Sequence, residues 1–411
     1  YNGQNYVISN LTTPLIMTGM GLFGVTGKAQ GNVVTPVRLI NIKLENVNID
    51  GAADPKNSYD QVGALVGEAI ATDISNCHVL SGKVTGWGDV GGLVGRFKSS
   101  QPAETPYHIT GCSSAAAVSG RIAGGLVGSF AFGAYSSATE PTPFGYCIMT
   151  DCYATGDVTE IPNQNGAELG ALIGDVTINC TTLVQRCYAT GWVKAMGESD
   201  AFAGGLIGNI GVNGGYRPPK DLKVLNNMIL TPAISGLRAD YHYGRVAGLG
   251  TKTADDANGL FQSNYVLSTM TLGGAAFDGE GTDDANGTTK TPEAMADRAT
   301  WEAQGFDLSE DGLWTWDASL SRPVFQGDAV PYGIYIVSEP IGAYQSRGRF
   351  LCRGQGRHRH ADLYLAAQRR WQDLGRYQGR RERDEALPAG QAPLGRQPDP
   401  LQDHRRGRHV G

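Results

Sequence analysis

A short glycine-bounded phrase returns along the first two thirds of the chain and constrains the fold more than any other feature. It reads Gly21-Leu22-Phe23-Gly24, Gly63-Ala64-Leu65-Val66-Gly67, Gly91-Gly92-Leu93-Val94-Gly95, Gly124-Gly125-Leu126-Val127-Gly128, Gly170-Ala171-Leu172-Ile173-Gly174 and Gly204-Gly205-Leu206-Ile207-Gly208. A worn seventh copy is Gly244-Arg245-Val246-Ala247-Gly248. The leading aliphatic falls at 22, 65, 93, 126, 172, 206 and 246, so the steps are 43, 28, 33, 46, 34 and 40 residues. Self-similarity at such a period marks an array of stacked units that grows along one axis without needing a new core.

A second phrase precedes the first in each unit. It runs Ile74-Ser75-Asn76-Cys77, Ile109-Thr110-Gly111-Cys112, Met149-Thr150-Asp151-Cys152 and Val184-Gln185-Arg186-Cys187. Asn227 and Asn264 take the Cys place in later copies, and Asn46 fits it near the start. After this phrase the pattern alternates every second residue, as in Tyr188-Ala189-Thr190-Gly191-Trp192-Val193-Lys194-Ala195, which is strand periodicity. Short strands repeating in register predict an all-β fold, a right-handed parallel β-helix in which like residues stack about 4.8 Å apart. Gly67, Gly95, Gly128, Gly174 and Gly208 then permit a bend and close approach of the next coil. Cys77, Cys112, Cys152, Cys187, Asn227 and Asn264 form an inward column. The changing period places variable loops at one corner, the longest from Gly133 to Pro143 and from Gly211 to Pro219.

The phrases thin out after about residue 254. Thr291-Pro292-Glu293 is a helix start, with Thr as N-cap, Pro at the first helical position and Glu at the positive dipole end. The helix is expected from Pro292 to about Gln304. With Trp301, Phe306, Trp314, Trp316 and Phe325 it makes an aromatic segment suited to cap an open end, because a bare strand edge recruits other chains. The expected division is a repeat β-helix at 1–254, a capping segment at 255–335 and an Arg-rich tail at 336–411. From 344 onward the tail carries 15 Arg, no Lys and seven acids, whereas residues 1–343 carry 19 Lys and Arg against 33 Asp and Glu. A disordered basic arm and an out-of-frame translation both fit that tail. The acidic body argues against a nucleic-acid groove.

The Gly-Leu-Val-Gly phrases, with the companion Cys-Tyr-Ala-Thr-Gly at Cys152 to Gly156 and Cys187 to Gly191, resemble the GLUG-motif repeats of bacterial surface and secreted proteins. The stretch from Thr291 through Trp316 to Pro323 is similar to the segment that closes such arrays. The resemblance covers about residues 1–330. It implies an extracellular or cell-surface array, adhesin-like or a spacer, presenting loops to a glycan or to a host or neighbouring-cell protein, as part of a larger chain. GLUG repeats also lie beside the peptidase domain of immunoglobulin A metallopeptidases. That chemistry needs a His-Glu-x-x-His helix to hold zinc, and this sequence contains none.

Candidate chemistry is sparse. Polysaccharide-cleaving β-helices need clustered carboxylates, whereas Asp73, Asp89, Asp151, Asp157 and Asp175 fall at different repeat positions and no carboxylate pair recurs at a fixed offset. The reading is therefore non-catalytic and without a cofactor. The alternatives are a β-helix carbohydrate-active enzyme and an accessory region of a larger surface peptidase. Calcium could sit at Asp255-Asp256 or Asp283-Asp284. His78, His108 and His242 are isolated and read as turn or surface residues. Tyr153 and Tyr188 share one repeat position and, with Trp192, form a candidate ligand face on which sugar rings could stack. The cysteine spacing, without a CxxC pair, argues against a zinc site, and Cys147 with Cys180 leaves open a disulfide between neighbouring coils. No apolar run approaches the roughly 20 residues of a membrane helix. The chain opens mid-pattern, so a longer parent protein is expected.

Overall fold

The structure is a computed structural model. It describes residues 1–327 apart from 14–18, 31–32, 53–59, 100–105, 132–145, 163–165, 177–180, 197–200, 211–221, 239–240, 250–259 and 278–283. The chain divides into one unit from Tyr1 to Val330 and a second from Pro331 to Gly411, which lies, with the Arg-rich tail and Cys352, outside the described residues.

The first unit is a parallel β-helix. One coil shows the plan: a long strand Thr72–Val79, then Gly82–Thr85, Asp89–Gly91 and Val94–Lys98. Each strand pairs in parallel with its equivalent in the next coil, giving four sheets of 14, nine, six and seven strands. Ile74 stacks on Ile109, Val84 on Val118, Gly91 on Gly124 and Val94 on Val127. The apolar alternation read from the sequence supplies the interior. Ile49, Val84, Val118, Val158, Val193 and Ile234 make one continuous buried column in the second sheet. Phe97 and Phe130 stack at 5.4 Å in the fourth.

The glycine phrase is the corner between the third and fourth sheets. Its leading leucines at 65, 93, 126, 172 and 206 are fully buried. The glycines are required by proximity: a Cβ on Gly128 would stand 2.5 Å from the Val90 nitrogen and 2.6 Å from the Gly95 oxygen. No side chain fits there, so the third and fourth sheets meet backbone to backbone.

A second corner is set inside the long sheet. Asn5, Asn41, Asn76, Gly111, Asp151, Arg186, Asn226 and Ser263 all have φ near +50 to +63°, each one residue before the Cys/Asn slot. Asn, Asp and Gly tolerate this left-handed conformation best, which explains the polar residue that recurs there. Asn76 donates to Asn41 at 2.6 Å, and Arg186 grips Asp151 through two bonds of 2.8 and 2.6 Å.

The slot that follows is a column of buried hydrogen-bond donors. The thiols of Cys77, Cys112, Cys152 and Cys187 point to carbonyls of the previous coil, those of Leu39, Ile74, Ile109 and Met149. Asn227 and Asn264 do the same with their amides, to Val184 at 3.1 Å and Val224 at 2.7 Å. In the first coils the slot belongs to Ile42, which pairs with Cys77. Asn46 instead lies beyond it in a left-handed turn, bonded to Asn10 at 2.6 Å. The sequence misleads here because Ile42 keeps the slot apolar and leaves no polar marker.

Three further expectations need correction. Parallel pairing runs past residue 254, through Phe261–Gln262 and Tyr265–Leu267 to Thr288–Lys290. Length variation falls at two corners, since the second and third sheets are joined over spans as different as Thr85 to Asp89 and Asp50 to Gln61, and the fourth sheet leads to the next coil over spans as long as Phe130 to Tyr146 and Ile210 to Leu222; the excursions 133–143 and 211–219 lie outside the described residues. The helix expected from Pro292 is two: α1 (Pro292–Met295), capped by Thr291, and α2 (Arg298–Ala303), whose N-cap Asp297 accepts from Ala299. Asp297 offers the backbone a capping bond that ends one helix and starts another.

The aromatic segment lies along the flank of the coil stack. Its two helices and the antiparallel hairpin of Trp314–Asp317 and Arg322–Phe325 reach coils as far back as His78. The last coil is closed otherwise. Arg245, in the worn seventh phrase, donates to the Asn286 and Gly287 carbonyls and to Thr289. Ala275–Ala276 folds back antiparallel on Thr271–Leu272.

Candidate functional site

The residue just after the Cys/Asn slot forms an outward ladder: His78, Ser113, Tyr153, Tyr188, Met228 and Tyr265 are successive register partners. Tyr153 and Tyr188 stack at 4.7 Å and 6°. This is the geometry expected of the candidate ligand face, but the C-terminal segment already occupies it. Tyr188 is fully buried, edge-on to Trp301 at 5.4 Å, and its hydroxyl donates to the Pro323 carbonyl at 2.9 Å. Phe325 covers Tyr153 at 5.1 Å, and Trp314 donates its indole N–H to Asp151 at 3.2 Å. Trp192 stands apart, 53% exposed, in the turn before Val193–Lys194. The three residues do not make one open face, because the chain's own aromatics satisfy the two tyrosines.

His78 is buried rather than at the surface, its ring nitrogens 2.9 Å from Ser113 Oγ and 2.8 Å from Asn76 Oδ1. His108 pairs with Asp73 at 3.2 Å. His242 is exposed and stacks on Phe202 at 4.8 Å. The slot thiols are structural: hydrogen bonding with Cys112 and burial push Cys77 up, and burial pushes Cys152 up, so neither yields a thiolate. Cys147 is buried and Cys180 lies outside the described residues. Asp255, Asp256 and Asp283 also lie outside them, while Asp284 caps a local turn by accepting from Asn286 at 2.7 Å. Among the described residues, no group of three or more His, Cys, Asp or Glu converges on a point.

The polar chemistry gathers instead around the glycine corner. Two residues before the first Gly and one after the last, an offset of seven, stand Gln61 and Glu68, Asp89 and Arg96, Ile122 and Ser129, Glu168 and Asp175, Phe202 and Asn209. The first members stack in the third sheet and the second members in the fourth. In the lower coils the charges balance: Arg96 bonds to Asp89 and lies 3.9 Å from Glu68, which Lys98 meets at 2.9 Å. Two coils on, the pair is Glu168 and Asp175. Burial first, and the Asp175 charge second, push the Glu168 carboxyl well above its usual range; Arg121 opposes this less strongly. A carboxylate pair across a glycine phrase therefore exists once, without recurring in the other copies. Nothing periodic marks it, because the offset spans a glycine phrase and only one copy carries two acids.

No protein-family model matches the chain, and no curated protein matches it. Among solved structures the chain is similar to one described as a "putative immunoglobulin A1 protease from Bacteroides ovatus", at 18% identity and a TM-score of 0.45, covering 79% of this chain and 76% of that one. The class the fold defines is a parallel β-helix repeat protein.

Proposed function

We propose that this chain is a non-catalytic bacterial repeat protein, secreted or displayed at the cell surface, that serves as an adhesin-like module or spacer and presents loops to a glycan or protein. The observation that carries this reading is where the repeated residues go. The glycines, the Cys/Asn column and the tyrosine ladder are all consumed by stacking or by the C-terminal segment. Recognition is left to segments that do not repeat, which enter at two corners of the coil. The likeness to GLUG repeats supports the extracellular setting.

A glycan array run beside a reducing-end assay tests the proposal. Binding without product growth is the expected result. Turnover that disappears in Glu168→Gln would overturn it in favour of a carbohydrate-active enzyme, the reading that the buried Glu168–Asp175 pair favours. The third reading, an accessory region of a surface peptidase, rests on the same repeat resemblance and requires the protease chemistry to lie elsewhere.

A further inference from the structure

The C-terminal segment covers the tyrosine ladder of the first sheet, whereas the outer face of the second sheet is open: Asn48, Lys83, Ala117, Asp157 and Lys194 are all exposed there. Side chains alternate along Trp192-Val193-Lys194-Ala195-Met196. Val193 and Ala195 are buried, and Trp192, Lys194 and Met196 point out. Trp192 is the exception in its column. The register places it beside Asp157 of the coil before and Ala233 of the coil after, with Ala117 and Lys83 further back. Ala233 is too short to shade an indole. Trp192 therefore keeps 53% of its surface in water, in a column where the other coils carry small or polar residues.

Polar groups with spare bonding capacity surround the indole. Asp157 Oδ1 accepts from the Trp192 N–H at 2.9 Å, which fixes the carboxylate beside the ring. Its other oxygen, the Lys194 ammonium and the Thr159 hydroxyl make no hydrogen bond to another described residue. Thr159 and Lys194 are register partners, so the four residues form a block of about 4.8 by 6.6 Å, two coils deep and two side chains wide. One sugar ring covers such a block. Its C–H face meets the apolar indole, and its hydroxyls meet an anionic acceptor, a cationic donor and a hydroxyl that serves as either. Charge narrows the ligand further. Asp157 and Lys194 cancel, and residues 1–343 carry 33 acids against 19 bases, so a sulfated or nucleic-acid polyanion is repelled. A stable protein partner needs an interface with an apolar core. Beyond Trp192 and Met196 this face offers Asn48, Lys83, Thr85 and Ser119 instead.

We propose that Trp192, with Asp157, Thr159 and Lys194, is a stacking subsite for an uncharged pyranose unit of a glycan. The inference rests on the binding role proposed above and narrows its ligand. The test screens the full chain, Trp192→Ala and Trp192→Phe on printed neutral, sialylated and sulfated oligosaccharides. The neutral oligosaccharide bound most strongly is then titrated into each chain by calorimetry, with thermal unfolding alongside. The expected result is neutral-glycan binding by the wild type, weakened about tenfold or more in Trp192→Ala and largely restored in Trp192→Phe, which keeps an aromatic face. The Tm of both variants should stay close to that of the wild type, because the side chain lies outside the core, and this separates a lost contact from a lost fold. Neutral-glycan binding that survives undiminished in Trp192→Ala overturns the subsite and leaves the adhesin-like reading intact. Binding confined to charged glycans overturns it equally. A wild-type chain that binds no glycan overturns it too, and leaves that reading to a protein ligand alone.

Discussion

Asp60 illustrates how much a single buried acid can reveal. It is fully buried, accepts from the Gly88 N–H at 2.8 Å and leaves Oδ2 without a donor among the described residues. Burial, only partly offset by backbone hydrogen bonds, lifts its carboxyl from 3.8 to about 6. Between those values the folded chain holds a proton that the unfolded chain releases, so this group's stabilising contribution is complete below about pH 4 and lost as pH rises through 6. Asp60→Asn should therefore flatten that part of the stability profile. Thermal unfolding from pH 4 to 8 should show variant and wild type close at pH 4 and the variant more stable at pH 7; parallel profiles would refute the assignment. Residue roles were legible where copies repeat. The cysteines could be aligned with Asn227 and Asn264 because a thiol and an amide meet one need, a donor for the carbonyl of the coil before. Asp60, Asp89 and Glu168 were not legible, since their chemistry depends on neighbours that only the folded coil brings to them: Gly88 to Asp60, Arg96 across a glycine phrase to Asp89, and Asp175 and Asn209 to Glu168.

At the scale of the element, the Cys/Asn column is a single hydrogen-bonded seam. Asn227 is its joint: Oδ1 accepts from the Cys187 N–H at 2.9 Å, and Nδ2 donates to the Val184 carbonyl and to Asn264 Oδ1. Asn227→Ala strands buried partners on both sides and should cost roughly 2–3 kcal/mol. Asn227→Cys restores the thiol donor used four times in earlier coils and should lose less. Urea unfolding of the two variants orders them, and equal losses would show that the column is packing alone. The strands themselves followed from period-two alternation. The break between α1 and α2 did not, because Asp297 reads equally well as an exposed helical residue until its side chain is seen to accept from Ala299. Likewise the aligned phrases give no reason for the residue one before the slot; the shared positive φ of Asn41, Asn76, Asp151 and Asn226 supplies it.

For the whole molecule, repetition specified the coil and said little about what covers it. Tyr153 and Tyr188 at equivalent positions announced an aromatic ladder, and the C-terminal aromatics announced a cluster. Nothing periodic indicated that the two were halves of one core. That core joins Tyr188, Met228, Met295, Trp301, Phe306, Leu308, Trp314 and Phe325. Trp314→Ala, which removes a fully buried indole and its bond to Asp151, should cost about 3–5 kcal/mol. The near-ultraviolet dichroism of the stacked tyrosines should fall with it, while the far-ultraviolet strand signal persists. A change below about 1 kcal/mol would mean that the segment contributes little to the fold.

The flank position of that segment has a mechanical consequence. A stack of coils pulled along its axis loads one inter-coil interface after another, so the weakest yields first and the rest peel in turn. Here a single strip is fastened to His78, Asp151, Tyr188 and Asn226, which belong to four different coils. Tension on the stack must shear those fastenings together, and the strip acts as a splint that turns serial failure into shared load.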